Sequence, residues 1–301
     1  MLFPTSNLPI QKLSDVLFDD KEVTLSVLRL DTIHPVVSGN KLFKLHYFLQ
    51  HALRYSSKGI ITFGGAYSNH LVAVAYACKE IGLKSIAFVR GEAPNVLSHT
   101  LQSCKAYGMD LQFISRQEYD QKDEADLVKE MQMKYPGYLL IPEGGYSRLG
   151  AEGARLIMDL IPDNVSHICC AIGTATTLSG LLVGLKENQQ VIGVPILKNL
   201  QDLTARINYL TNQLFTQKQL LVLTEYHFGG YAKRTPALID FMNALYEKHT
   251  LPTDFVYTGK MMFGIIDSIE KGLFPKGSSI VCLHTGGLQG NLTLKSGVLV
   301  F

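Results

Sequence analysis

What the chain lacks narrows what it can be. No CxxC pair, no HExxH and no cysteine–histidine cluster occur along its 301 residues, so the ligand spacings that hold a metal are missing. No apolar run approaches the ~18 residues that cross a bilayer. Charge of one sign is lacking too: the formal net charge is +2, too little to point to a nucleic acid or an anionic surface. Neither a Gly-Lys-Ser/Thr phosphate loop nor a GxGxxG fingerprint is present, which argues against a nucleoside triphosphate or a dinucleotide. The five cysteines are odd in number and fit free thiols in a reducing compartment. The start, Met1-Leu2-Phe3-Pro4-Thr5, has neither a basic flank nor a long apolar stretch, so no signal peptide is expected. A soluble cytoplasmic protein is the expectation, and no repeat, low-complexity tract or long linker divides it.

What is present is core. Hydrophobic residues make up 47% of the chain, enough for one large α/β unit or two lobes. From residue 57 onward short apolar runs alternate with segments of helical spacing. Strands are expected at 59–63, 83–89, 110–114, 138–142, 167–172, 191–195, 220–225 and 279–284. Helices are expected at 69–81, 96–107, 118–133, 149–160, 177–186, 200–214, 235–246 and 260–271. Cys169-Cys170 falls inside one of the apolar runs and reads as buried strand. Short apolar strands between helices point to mostly parallel sheets covered on both faces. The charged stretch 117–129 reads as a solvated helix face.

Ligands in such sheets bind where strands end and helices begin. That directs attention to the loops 38–41, 64–69, 173–177, 226–231, 256–260 and 284–287, all rich in glycine or hydroxyls. Ser38-Gly39-Asn40-Lys41-Leu42-Phe43-Lys44 puts two lysines on one face of a first helical turn, with Asn40 read as the N-cap of a helix over 41–53. The helix dipole opposes a cation there and lowers an amine pKa, which suits a lysine nucleophile toward a carbonyl. Lys44, one turn on, suits a phosphate or a cofactor edge. Gly64-Gly65-Ala66-Tyr67-Ser68-Asn69-His70 ends where free backbone N–H groups can hold a carboxylate. Gly173-Thr174-Ala175-Thr176-Thr177 follows a strand and opens a helix, so small residues, hydroxyls and a helix end could cradle a dianion. Taken alone, an ordinary turn capped by threonine explains it equally well.

Other candidates carry less. His70, in a first helical turn, is open to capping or to chemistry. His284 reads as structural at a strand end, Tyr226 as a strand end near Tyr231, and Glu143 as a solvent residue within reach of a cleft. Ser68 is followed by Asn69-His70 and lacks the Gly-x-Ser-x-Gly form of a hydrolase elbow.

In order along the chain, these loops resemble those of the fold-type II pyridoxal phosphate enzymes, and among them the 1-aminocyclopropane-1-carboxylate deaminase and D-cysteine desulfhydrase family. The matches run from Gly39-Asn40-Lys41 through Gly64-Gly65-x-x-Ser68-Asn69, the threonine-rich cup, Val256-Tyr257-x-Gly259-Lys260 and His284-Thr285-Gly286-Gly287. The resemblance implies a two-lobed α/β architecture like that of tryptophan synthase β. Its large cofactor lobe would comprise 1–53 and 148–301, its smaller inserted lobe 54–147, and it is often a homodimer. It implies pyridoxal 5'-phosphate with Lys41 as the Schiff-base lysine, Asn69 facing the phenolic oxygen, and Gly173, Thr174, Ala175, Thr176 and Thr177 around the phosphate. Ser68, with the N–H groups of Asn69 and His70, would take the carboxylate of a small amino acid. Tyr231 and Tyr257 match the tyrosines beside the substrate.

Departures from the deaminase pattern refine that reading. Thr258 stands where the deaminases carry a glutamate, and Thr285 where they carry a leucine. Both are choices of the desulfhydrase branch. A hydroxyl cannot hold a full pyridinium charge as a carboxylate does, and the weaker electron sink still suffices to expel hydrosulfide. The stretch Phe228-Gly229-Gly230-Tyr231-Ala232-Lys233 and the pair Ala66-Tyr67 are looser than the family form. The expected activity is β-elimination from D-cysteine to pyruvate, ammonia and hydrogen sulfide. Deamination of 1-aminocyclopropane-1-carboxylate is the alternative, and a non-catalytic cofactor- or metabolite-binding protein is the rival of another class.

Overall fold

The computed structural model describes residues 8–301; the start at 1–5, read above as no leader, lies outside them. The described residues form ten strands: β1 (Ile10–Leu13), β2 (Thr24–Leu28), β3 (Gly59–Gly64), β4 (Lys84–Arg90), β5 (Met109–Ile114), β6 (Tyr138–Ile141), β7 (His167–Ile172), β8 (Gln190–Pro195), β9 (Leu220–Val222) and β10 (Ser279–Leu283). They make two sheets. One has six strands in the order β1-β2-β10-β7-β8-β9, the other four in the order β5-β4-β3-β6. Every pairing is parallel except β1 with β2. Helices cover the faces, so the central strands are apolar along their length: all of β3 is buried, and β7 from Ile168 onward. No helix among the described residues is long and apolar enough to cross a membrane.

Several elements differ from the reading of the sequence. The antiparallel pair β1–β2 was not anticipated; Thr24–Leu28 alternates only briefly before its buried end, Val27 and Leu28. The expected helix over 118–133 is two shorter ones, Arg116–Asp120 and Ala125–Lys134. A capping box, Ser115 with Glu118, starts the first, and Glu124 with extended backbone precedes the second. The strand expected over 220–225 ends at Val222. The helix expected over 149–160 is α-helical as Arg148–Arg155 and then tightens to 3-10 geometry over Leu156–Leu160.

The four-stranded sheet is built wholly from Gly59–Ile141, which lies in the chain between the helices Asn40–Arg54 and Arg148–Arg155. Glycines set how closely those helices approach. A Cβ on Gly153 would lie 2.1 Å from Phe43 O, and one on Gly180 2.5 Å from Ala151 O. The helices Asn40–Arg54, Arg148–Arg155 and Thr176–Val183 therefore stack backbone against side-chain-free backbone. That contact brings the Lys41 turn beside the turn after β7.

Candidate active site

The strand ends of both sheets face one cavity of about 460 Å³, lined by Lys41, Lys44, Ser68, Asn69, His70, Gly173–Thr177, Tyr231, Tyr257 and Thr285. The loops quoted from the sequence thus meet in one place. Lys41 stands on the first turn of Asn40–Arg54, but the N-cap is Gly39 and not Asn40. The reason is steric: Gly39 has φ +67, and a Cβ there would lie 1.9 Å from Thr285 O. Asn40 is freed from capping and links two loops instead. Its Nδ2 donates to Thr177 Oγ1 at 2.8 Å, while its Oδ1 accepts from Lys41 Nζ at 2.7 Å. Burial lowers the Lys41 amine to about 8, with the Asp254 carboxylate pulling the other way. Lys44 is buried, and desolvation followed by the charge of Lys41 pushes its pKa well below the usual lysine value.

The turn after β7 is shaped for an anion. Ala175, not a threonine, is the N-cap of Thr176–Val183; it sits in the left-handed region at φ +67 and makes no side-chain cap. The first N–H groups of that helix, which have no intrahelical acceptor, consequently have no N-cap side chain to accept from them either. Thr174 Oγ1 and Thr176 Oγ1 lie 2.9 Å apart, and Gly173 packs so that a Cβ would reach 3.4 Å from the Tyr257 ring. Unpartnered amides, hydroxyls and a buried lysine that a dianion would recharge suit a phosphate, and a lysine amine near 8 suits an aldehyde. The residues present fit pyridoxal phosphate.

Opposite the cup, Ser68 caps the helix Asn69–Glu80, its Oγ accepting from Leu71 N at 3.4 Å. His70 neither caps nor titrates near neutrality. Thr62 gives its hydroxyl proton to Ile141 O at 2.7 Å, so at 2.8 Å it accepts from His70 Nε2. His70 Nδ1 then carries no proton and is buried without a partner. Burial, then Lys41 and Lys44, lower its pKa to about 3.

Tyr257 and Tyr231 meet edge to face with centroids 6.3 Å apart. Burial, then its tyrosine neighbour, keeps the Tyr257 phenol well above its usual pKa, hence protonated. The two threonines separate: Thr285 lines the cavity, whereas Thr258 is buried outside its wall and donates to Asp254 Oδ2 at 2.6 Å. Tyr226 also lies outside the wall, bonded to Asp267. His284 is buried, its Nε2 2.7 Å from Pro252 O.

Some contributors escaped the sequence reading. Asp254 accepts from the N–H groups of Val256, Tyr257 and Thr258 at 2.9, 2.7 and 3.0 Å, and so sets the turn that presents Tyr257. Its signal is an Asx residue ahead of a helix start. Lys260, fully buried, donates to His227 O at 2.8 Å and Gly230 O at 2.7 Å, tying the Tyr231 loop to the helix Thr258–Glu270. Glu143, read as a solvent residue within reach of a cleft, does line the cavity 3.5 Å from Lys122, and Tyr119, Asp120 and Lys122 from the charged stretch line it too.

Comparison with known proteins agrees with this geometry. A family model described as pyridoxal-phosphate dependent enzyme matches residues 4–286. A Thermotoga maritima protein with the provisional name 1-aminocyclopropane-1-carboxylate deaminase is 30% identical over 281 residues, 88% of each chain. A D-cysteine desulfhydrase of Salmonella choleraesuis is 27% identical over 283 residues, 86% of each. A crystal structure of an ACC deaminase homologue superposes with a TM-score of 0.83 at 26% identity, covering 97% of this chain and 92% of the other.

Proposed function

Because the chain belongs to the pyridoxal-phosphate dependent enzymes, we propose that it is a lyase acting on a small amino acid, D-cysteine foremost, and that it releases pyruvate, ammonia and hydrogen sulfide. The observation that carries this reading is one cavity that brings together the Lys41 amine, the glycine- and threonine-rich turn at one helix start and the Ser68-capped start of another. When bound, pyridoxal phosphate supplies the electron sink that lets a bond at the α-carbon break.

The chain's own groups do the rest. Gly173–Thr177 and Lys44 would hold the phosphate, and Asn69 would face the phenolic oxygen. Ser68 and the N–H groups of Asn69 and His70 hold the substrate carboxylate, which a helix N-terminus favours. Lys41 Nζ, partly neutral near pH 8, takes the proton from the α-carbon. Tyr257, kept protonated, gives a proton to the departing sulfur, with Tyr231 closing the mouth. Thr285, the threonine that lines the cavity, would offer the ring nitrogen a hydroxyl and no charge, which supports elimination of a good leaving group. Five buried free cysteines support a cytoplasmic setting, and the layout implied by the resemblance supports a homodimer.

The second reading is 1-aminocyclopropane-1-carboxylate deaminase, favoured because Ser68, Tyr231 and Tyr257 all line the cavity. Product assays separate the two. Sulfide from D-cysteine well in excess of α-ketobutyrate from aminocyclopropane carboxylate is the expected outcome; the reverse ratio moves the assignment to the deaminase.

A further inference from the structure

Gln289 is absent from the cavity wall, yet it touches a residue that forms it. It sits in the 3-10 turn Leu288–Thr293, immediately after the Gly286-Gly287 bend, and its Nε2 donates to Asn69 Oδ1. The turn is anchored from behind: Asn291 Nδ2 donates to Thr253 O at 2.9 Å, and Asn291 Oδ1 accepts from Phe255 N at 3.4 Å. Gln289 is therefore delivered to Asn69 from a fixed platform.

A carboxamide has one accepting end and one donating end. With Oδ1 turned to Gln289, Asn69 has Nδ2 left to donate, and among the described residues Nδ2 donates to nothing. It lies beside the bend, 3.4 Å from where a Cβ on Gly287 would be, while Asn69 itself lines the cavity. We propose that Gln289 is a positioning residue: by occupying Asn69 Oδ1 it keeps Nδ2 turned to the cavity as the donor for the cofactor's phenolic oxygen. This rests on the reading of Asn69 given above. Without Gln289 the amide is free to rotate, and the wrong rotamer sets a carbonyl oxygen against an oxygen that carries negative charge.

A double-mutant cycle on the pyridoxal phosphate-loaded protein tests it, read as the pH at which the visible band titrates. Lys41, Lys44, His70, Asp254 and Tyr257 are retained in every variant. Loss of a donor to a charged oxygen should raise that midpoint by about one unit in Asn69→Ala and by about half a unit in Gln289→Leu. In the Asn69→Ala background, Gln289→Leu should add nothing, because it acts only through Asn69. Gln289→Asn, which falls one methylene short, is the second variant should the leucine fail to fold, with the same silence expected in that background. An unmoved midpoint in the Gln289 variants, or an equal shift in both backgrounds, overturns the proposal while leaving the Asn69 contact standing. An unmoved midpoint in Asn69→Ala overturns that contact, and the role of Gln289 with it.

Discussion

Gly39 decides where the lysine can stand. At φ +67 and ψ −149 its backbone lies in a region that side chains strongly disfavour, and Thr285 O occupies the place of a Cβ. Gly39→Ala is expected to cost roughly 3 kcal/mol, measured by urea unfolding, and to lose cofactor capture. Lys41 makes a prediction of a different kind. With its amine lowered to about 8 by burial, protonation below that pH removes the nucleophile. The rate at which the cofactor-free protein captures pyridoxal phosphate should therefore rise with pH through about 8, followed by stopped-flow absorbance. Lys41, Ser68 and the cup were legible because each sits at a loop-to-helix junction with an unusual residue choice. The role of Asn40 was not: its type suits a cap, and only the collision at Gly39 shows why the cap moved one residue back. Thr258 and Thr285 were indistinguishable in sequence, since it takes Asp254, four positions before Thr258, to engage that hydroxyl.

The helix Thr258–Glu270 depends on a single carboxylate. Asp254 is fully buried and accepts from three backbone N–H groups and from Thr258 Oγ1. Asp254→Asn puts an amide donor where one acceptor was, leaving donors unmatched at the base of Tyr257. A loss of roughly 3 kcal/mol in chemical denaturation is expected. The parallel strands could be read from sequence because a strand buried on both faces is simply a short apolar run, as in β3 and β7. β1 could not, because an edge strand with a mixed burial pattern leaves no such run. The charged stretch at 117–129 faces solvent over most of its length, as its charge implies, but Tyr119 is buried and Lys122 folds over its ring at 5.0 Å, so charge and cavity wall coincide there.

At the scale of the whole molecule the cavity lies where the strand ends of two sheets meet, so a ligand that touches both should bind the folded form alone. Saturation at about 100 times Kd adds roughly 2.7 kcal/mol to stability. Thermal unfolding should accordingly shift upward with pyridoxal phosphate, and the shift should shrink in Lys41→Ala. Sedimentation velocity checks the assembly, with twice the chain mass expected. The most direct test of Lys41 as the lysine that holds the cofactor is the visible absorption of the purified, pyridoxal phosphate-loaded protein before and after Lys41→Ala. A band near the visible edge is expected in the native chain and none in the variant; a band that survives the substitution would remove Lys41 from that role.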